Sequence, residues 1–221
     1  MAAFHPQPSE LPADFAVFPL SGALLLPGGR LPLNIFERRY LAMTDDCLCA
    51  GRLFGMVQPD ETRPADNSGP ALFRVGCLGR LSSFSETDDG RYLVTLTGVI
   101  RFVITEELAM GRGYRRVRAD FRPYLQDLDS GEHPIGVERD VLIRALRRFF
   151  HSRGFDANWD AIEQMPDDML VVTLCMVCPF EPVEKQALLE AGTEADRART
   201  LVTLLEMGAA GPDPNQGRPA S

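Results

Sequence analysis

Between Pro19 and Pro59 the chain reads PLSGALLLPGGRLPLNIFERRYLAMTDDCLCAGRLFGMVQP, and no other stretch limits the fold as tightly. An apolar run stops at Pro27-Gly28-Gly29, residues that make a turn. Pro32, inside Leu-Pro-Leu, enforces an extended approach to the residues after it. Phe36, Tyr40, Met43 and Cys47 then recur at i, i+4, i+7 and i+11, which predicts one apolar helix face. Asn34 with Glu37 three residues later predicts an N-cap and capping box, and Gly51 a stop. A second strand is predicted directly after, at Leu53–Gln58. The segment therefore reads as strand, turn, extended arm, helix, strand, with prolines and glycines holding the angles.

Around this corner the chain changes character once. Further strands are predicted at Phe15–Leu20, Ala23–Leu26, Val75–Phe84, Tyr92–Thr97, Val99–Thr105 and Tyr114–Phe121. Asp89-Gly90 predicts a hairpin turn, and Gly98 a bulge that bends the sheet toward a barrel. From Pro134 onward the periodicity is helical. Val141, Ala145, Leu146, Phe149 and Phe150 stripe a helix ending at Gly154. Met169–Val177 is apolar all round, so it is expected at the centre of a bundle. Glu184–Ala191 and a last helix opened by the Thr193/Asp196 capping box complete the set. Strands followed by helices predict an α+β fold. The expected parts are a mobile 1–13 tail, a β-rich unit over 14–128, a helical unit over 129–207 joined at Asp129-Ser130-Gly131, and a disordered 208–221 tail.

Composition removes several function classes. A net charge of −8 opposes long-range encounter with nucleic acid or anionic membranes. No apolar run approaches the ~20 residues of a membrane span, and the first residues lack a signal peptide's basic start and apolar core. The expectation is a cytoplasmic protein whose 5 cysteines are reduced thiols.

The opening segment resembles the start of the Lon protease N-terminal, substrate-binding domain. The matching residues are Pro19, Leu20, Leu25, Pro27, Gly28, Leu31, Pro32, Leu33, Ile35, Phe36, Glu37, Arg39 and Tyr40. Two later stretches resemble the same family in order: DGRYLVTLTGVIRFVI, Asp89 to Ile104, and PFEPVEKQALLEA, Pro179 to Ala191. The resemblance implies a PUA-like curved sheet or pseudo-barrel carrying one helix, followed by a helical bundle, and a role in recognising unfolded or tagged polypeptides. It does not extend to the family's catalytic parts. A P-loop needs Gly-x-x-x-x-Gly-Lys-Ser/Thr, and the only lysine, Lys185, stands in Val-Glu-Lys-Gln without a glycine loop or a serine–lysine context. A stand-alone bacterial member without ATPase or peptidase domains is expected, with no cofactor.

Individual residues sharpen this expectation. Pro27, Pro32, Glu37 and Arg39 read as structural members of the signature. Glu37 and Arg39 stand two apart, which on a helix separates their faces, so each is expected to bond backbone or a neighbouring strand. Cys175 and Cys178, with Cys47 and Cys49, have sulfur spacings that could suit zinc, yet the first pair lies in an apolar run and reads as core packing. His5, His133 and His151 are scattered and form no catalytic motif. Arg112, Arg115, Arg116, Arg118 and Arg122, with Tyr114, Phe121 and Tyr124, could grip single-stranded RNA, or could be charged strand residues that discourage edge pairing. The reading these features favour is a non-catalytic polypeptide-binding module, an adaptor in protein quality control that partners a protease or chaperone. Leu33, Phe36 and Tyr40 are its expected contacts, and a free sheet edge would allow a homodimer. RNA or nucleotide binding and an unrecognised hydrolase are the alternatives.

Overall fold

The computed structural model describes residues 6–65, 69–129 and 135–210. Strands β1 (Asp14–Pro19), β2 (Arg30–Ile35), β3 (Leu53–Val57), β4 (Val75–Glu86), β5 (Tyr92–Gly111) and β6 (Tyr114–Asp120) form one mixed sheet, with helix α1 (Arg38–Cys49) between β2 and β3. The order is β2-β5-β4-β3-β1-β6, and β6 also pairs with β5. Five strands therefore close a barrel, and β2 lies outside the ring on β5. Closure depends on the length of β5, whose 20 residues pair with β2 and β4 early and with β6 late. The two strands predicted at Tyr92–Thr97 and Val99–Thr105 are this one strand. β1 and β3 pair in parallel, which requires a long crossover, and β2 with α1 supplies it.

Both barrel faces are buried, so the strand patterns are not simple alternations. Phe15, Val17, Leu78, Ile100, Phe102 and Val117 fill the barrel. Ala16, Phe18, Cys77, Val94 and Leu96, facing outward, enter a second core that also includes α1 and the helical half. The run Leu24–Leu26 is buried in that outer core, although it forms no strand beyond the bridge that comes next at Pro27. Side-chain burial, not ladder pairing, explains its apolar composition.

The Pro27–Gly29 turn crosses the sheet at Gly98. The Gly28 N–H donates to Gly98 O (3.0 Å) and the Gly98 N–H to Gly29 O (2.9 Å). A Cβ on Gly98 would lie 2.0 Å from Leu26 O, so only glycine fits this close approach. The predicted bulge is present, with the β4–β5 register shifting between the Gly79↔Gly98 and Leu78↔Ile100 pairs.

β2 runs to Ile35, so Asn34 is a strand residue paired with Leu93 and not a helix cap. The N-cap is Glu37, and its side chain makes no capping hydrogen bond. Six ladder pairs with β5 outweigh the local Asn34/Glu37 capping signal. The helix ends as expected, with Gly51 left-handed at φ +83°.

The second half is all helix: α2 (Arg139–Arg153), α3 (Trp159–Gln164), α4 (Asp167–Val177), α5 (Pro182–Glu190) and α6 (Glu194–Ala209). The expected central place of Met169–Val177 is not found. α4 buries Leu170, Val171, Leu174 and Cys175, while Met169 and Val177 are exposed. The bundle centre lies between α2 and α6, which bury Leu142, Ala145, Leu146 and Phe149 against Ala198, Leu201 and Leu205. The other side of α4 packs in part on the crossing turn, with Val172 and Met176 against Gly29. The expected linker at Asp129-Ser130-Gly131 falls largely outside the described residues.

Buried polar groups fasten helix α5 to the barrel. Lys185 Nζ donates to the carbonyls of Gly22 (2.8 Å) and Met176 (3.3 Å). Gln58 Nε2 donates to Pro182 O (3.0 Å) and Gln186 Oε1 (3.2 Å), while Gln186 Nε2 donates to Val75 O (3.1 Å). Arg101, 2% exposed, donates to both oxygens of Asp127 and, through Nη1, to the carbonyls of Leu189 and Ala191.

This packing sets two stability outcomes. Gly98→Ala forces the crossing turn off the sheet and is expected to cost roughly 1–3 kcal/mol, as overpacking does; urea unfolding measures it, and an unchanged midpoint would contradict the close approach. Asp127→Ala leaves a buried guanidinium short of its carboxylate and is expected to cost about 3–5 kcal/mol. Loss of cooperative melting, or a midpoint lowered by that amount, is the expected readout.

Candidate functional site

The two ends of the Pro19–Pro59 segment come back together. Pro19 ends β1 and Pro59 lies just past β3, and both line a cleft of about 120 Å³ with Arg39 and Tyr40 from the first turn of α1. The opposite wall consists of Pro70, Arg115 on β6, and the β5–β6 hairpin residues Met110 and Gly113. Small-molecule and cofactor pockets usually enclose ~300–1,000 Å³. This cleft is of a size to take one side chain of a larger partner.

Its chemistry is mainly apolar with a cationic rim. Three prolines offer no N–H, and Met110 is half exposed. Tyr40 packs on Phe18, with ring centroids 4.2 Å apart, and its hydroxyl has no hydrogen-bond partner among the described residues. Burial pushes the Tyr40 phenol above its ordinary pKa, with the Arg39 charge opposing, so the hydroxyl stays protonated at neutral pH. The Arg39 guanidinium lies 4.6 Å over the Tyr40 ring. Arg115 is buried and donates to Glu107 and to Pro70 O, which fixes the cleft wall. Among the described residues the lining holds two guanidinium groups and no carboxylate. The first turn of α1 carries no acid, and Arg38 and Arg39 stand there against the helix dipole.

The expected contact residues are divided by the structure. Leu33 (8% exposed) and Tyr40 (5%) belong to the core, whereas Phe36 is 63% exposed. Phe36 leaves the predicted helix face because it precedes α1; its ring lies 5.8 Å from the Arg91 guanidinium. Of the three, only Tyr40 lines the cleft. Glu37 and Arg39 depart from their expected separate bonds. Arg39 pairs with Glu37 itself (2.8 Å), because Glu37 stands at the cap with extended backbone and helical spacing does not apply. Pro32 lies in β2, opposite Thr95. Lacking an N–H, it is tolerated there because β2 is an edge strand, and it withholds a donor that a second strand would need. Met110, Pro70 and Gly113 were not singled out by sequence, since only tertiary closure brings the β5–β6 hairpin to α1.

Four of the five clustered arginines are committed internally, while the half-buried Arg116 has no ion pair among the described residues. Arg112 pairs with Asp46, Arg115 with Glu107, Arg118 with Asp14 and Glu106, and Arg122 with Asp120. Phe121 stacks on Phe15 and Tyr124 lies beneath Arg101, so neither ring offers a free platform for a base. A second concavity, of about 340 Å³, is lined by Arg63, Arg74, Thr105, Glu106 and Glu107 with two apolar residues. Among the described residues no serine, cysteine or histidine lines either concavity.

The thiols lie elsewhere. Cys47, Cys77, Cys175 and Cys178 are buried and unpaired, and Cys49 is exposed. Among the described residues no three His, Cys, Asp or Glu side chains are grouped to hold a metal ion. Burial pushes Cys47, Cys175 and Cys178 up to about 12, and Cys77 up as well. Unfolded thiols ionise near pH 8.5–9, so above that range the unfolded chain releases protons that the folded one keeps. Stability contributed by these groups is complete below about pH 8.5 and lost as pH rises toward 12. Burial lowers the Lys185 pKa, an effect of opposite sign at alkaline pH, but one lysine faces four thiols. Chemical denaturation at pH 8 and pH 11 is expected to show a clear fall, and Cys175→Ala to reduce its slope. A flat profile would contradict the burial.

A closed barrel with a clasped helix, carrying a fastened helical bundle and an apolar cleft between helix and hairpin, defines an α+β architecture. Residues 14–207 match the family described as the ATP-dependent protease La (LON) substrate-binding domain, and the chain belongs to that family. Lon protease 2 of Myxococcus xanthus is 22% identical over 201 residues, covering 89% of this chain and 24% of the relative. Lon protease of Anaeromyxobacter dehalogenans is 25% identical over 137 residues, covering 62% and 15%. The chain thus spans about a quarter or less of these relatives. Among solved structures, the Lon N-terminal domain protein from Xanthomonas campestris superposes with a TM-score of 0.57 at 22% identity, covering 86% of this chain and 97% of that one. The N-terminal domain of Mycobacterium avium complex Lon protease gives 0.60 at 15% identity, covering 87% and 97%. No helix among the described residues is long and apolar enough to cross a membrane.

Proposed function

We propose that this chain is a non-catalytic module that binds unfolded or flexible polypeptides, seating one side chain of the client in the Pro19/Tyr40/Pro59/Met110 cleft. The observation that carries the reading is the cleft itself, half of whose lining comes from the Pro19–Pro59 segment and whose volume is too small for a cofactor. Its prolines and methionine form a surface that accepts varied apolar side chains, because methionine adapts its shape and proline presents no unsatisfied donor. The free Tyr40 hydroxyl can donate to a client carbonyl. Such shallow contact suits reversible capture, in which each client segment is held weakly and released. Substrate recognition for a protease, or delivery to a chaperone as an adaptor in quality control, is the cellular role this chemistry serves.

Strand addition contributes less to this mechanism than the free edge of β2 suggests. Pro32 interrupts the donor row, which disfavours both edge pairing with a client and a β2–β2 homodimer. Phe36 and Leu93 fall on one face of the β2–β5 ladder, both exposed, and form an accessory apolar contact beside the main one.

A fluorescein-labelled, chemically unfolded model polypeptide tests the reading by anisotropy with the full chain. Binding in the micromolar range is expected. Met110→Asp places a charge on an exposed cleft position and is expected to weaken binding about tenfold or more, or ~1.4 kcal/mol, with melting unchanged. No binding by the parent chain, or equal binding by the variant, would overturn the proposal.

A further inference from the structure

We infer that the clients this cleft prefers carry carboxylates beside their apolar anchor: acidic-flanked apolar segments of extended polypeptide. The inference rests on the polypeptide-binding reading and adds the charge that the partner must have. Arg39 and Arg115 both line the cleft, and among the described residues no acidic one does. Their counter-ions, Glu37 and Glu107, lie outside the lining. Arg38, exposed in the same turn, has no ion pair among the described residues. In a chain of net charge −8 this rim reverses the general sign.

The two guanidinium groups do different work. Arg115 is buried and held by Glu107 and Pro70 O, so its charge is already met by Glu107 and it serves as a fixed wall of the cleft. Arg39 is half exposed and lies over the Tyr40 ring, and its one ion pair among the described residues is with the exposed Glu37, so a client carboxylate can take Glu37's place without stripping a buried charge of its partner. Arginine also presents a planar fork that matches a carboxylate bidentately. At physiological salt the Debye length is about 8 Å. The chain's overall negative charge is then largely screened, while a carboxylate against the rim is not. Selection therefore depends on acids placed next to the anchor, and net client charge matters little.

Three labelled twelve-residue peptides test this, sharing a central leucine–phenylalanine anchor and flanked by aspartate and glutamate, by serine and glycine, or by lysine and arginine. A fourth keeps the acidic flanks and lacks the anchor. Anisotropy with the full chain at 150 mM salt is expected to rank acidic-flanked first, at least fivefold tighter than neutral, with basic last and the anchorless peptide weakest. Arg39→Gln is expected to erase the acidic preference, and Arg39→Glu to reverse it, both with unchanged melting because the side chain is exposed. Binding that ignores flank charge, prefers basic flanks, dispenses with the anchor or survives Arg39→Glu in its original order would overturn the inference and leave polypeptide binding standing. Absence of binding by all four peptides, together with no binding of the unfolded model polypeptide, would overturn both.

Discussion

Arg101 stands where the barrel meets the bundle, and the arrangement of both halves depends on its being satisfied there. A guanidinium that is 2% exposed cannot be left unpaired without a cost of several kcal/mol. It is met by Asp127 from the Arg122–Leu128 3-10 segment and by carbonyls at the C-terminal end of α5, so one side chain on β5 fixes two other elements at once. Tyr124 covers the outer face of its plane at 4.3 Å. The Lys185, Gln186 and Gln58 bonds add orientation about the same helix. These polar contacts specify one docking geometry; the outer apolar core supplies most of the attraction.

That geometry gives the cleft its walls. Closing the barrel through β5 brings the β5–β6 hairpin over the first turn of α1, and the Gly98 crossing fixes where the Pro27–Gly29 turn enters. The cleft is thereby made of backbone-restricted residues at the ends of regular elements, preorganised before any partner arrives. A cleft ordered in advance loses little freedom when a side chain enters it.

Much of this was legible in sequence, and the failures have physical causes. The change from strands to helices, the bulge at Gly98 and the burial of Cys175 and Cys178 arise from residue chemistry and local pattern. The Asn34/Glu37 signal pointed to a helix cap because local chemistry favours one, but ladder pairing with β5, distant in sequence, kept Asn34 in a strand and turned Phe36 to solvent. Glu37 and Arg39 pair for the same reason. Met169–Val177 is apolar on all sides because one face serves the bundle and another meets the crossing turn, a distinction that composition cannot make. Of the cleft, Pro19, Arg39, Tyr40 and Pro59 lay within the segment that dominated the sequence. Pro70, Met110, Gly113 and Arg115 join them only through barrel closure, and Arg115 had drawn notice for a nucleic-acid role that its ion pair with Glu107 now argues against.

Amide chemical-shift mapping of the isotope-labelled chain, titrated with an unlabelled unfolded polypeptide, tests the central claim most directly. The largest changes are expected at Leu20, Arg39, Tyr40, Met110, Gly113 and Arg115, residues lining or adjoining one cleft and drawn from or beside β1, α1, β5 and β6. Changes confined to the bundle helices, or to the free edge of β2, would contradict it.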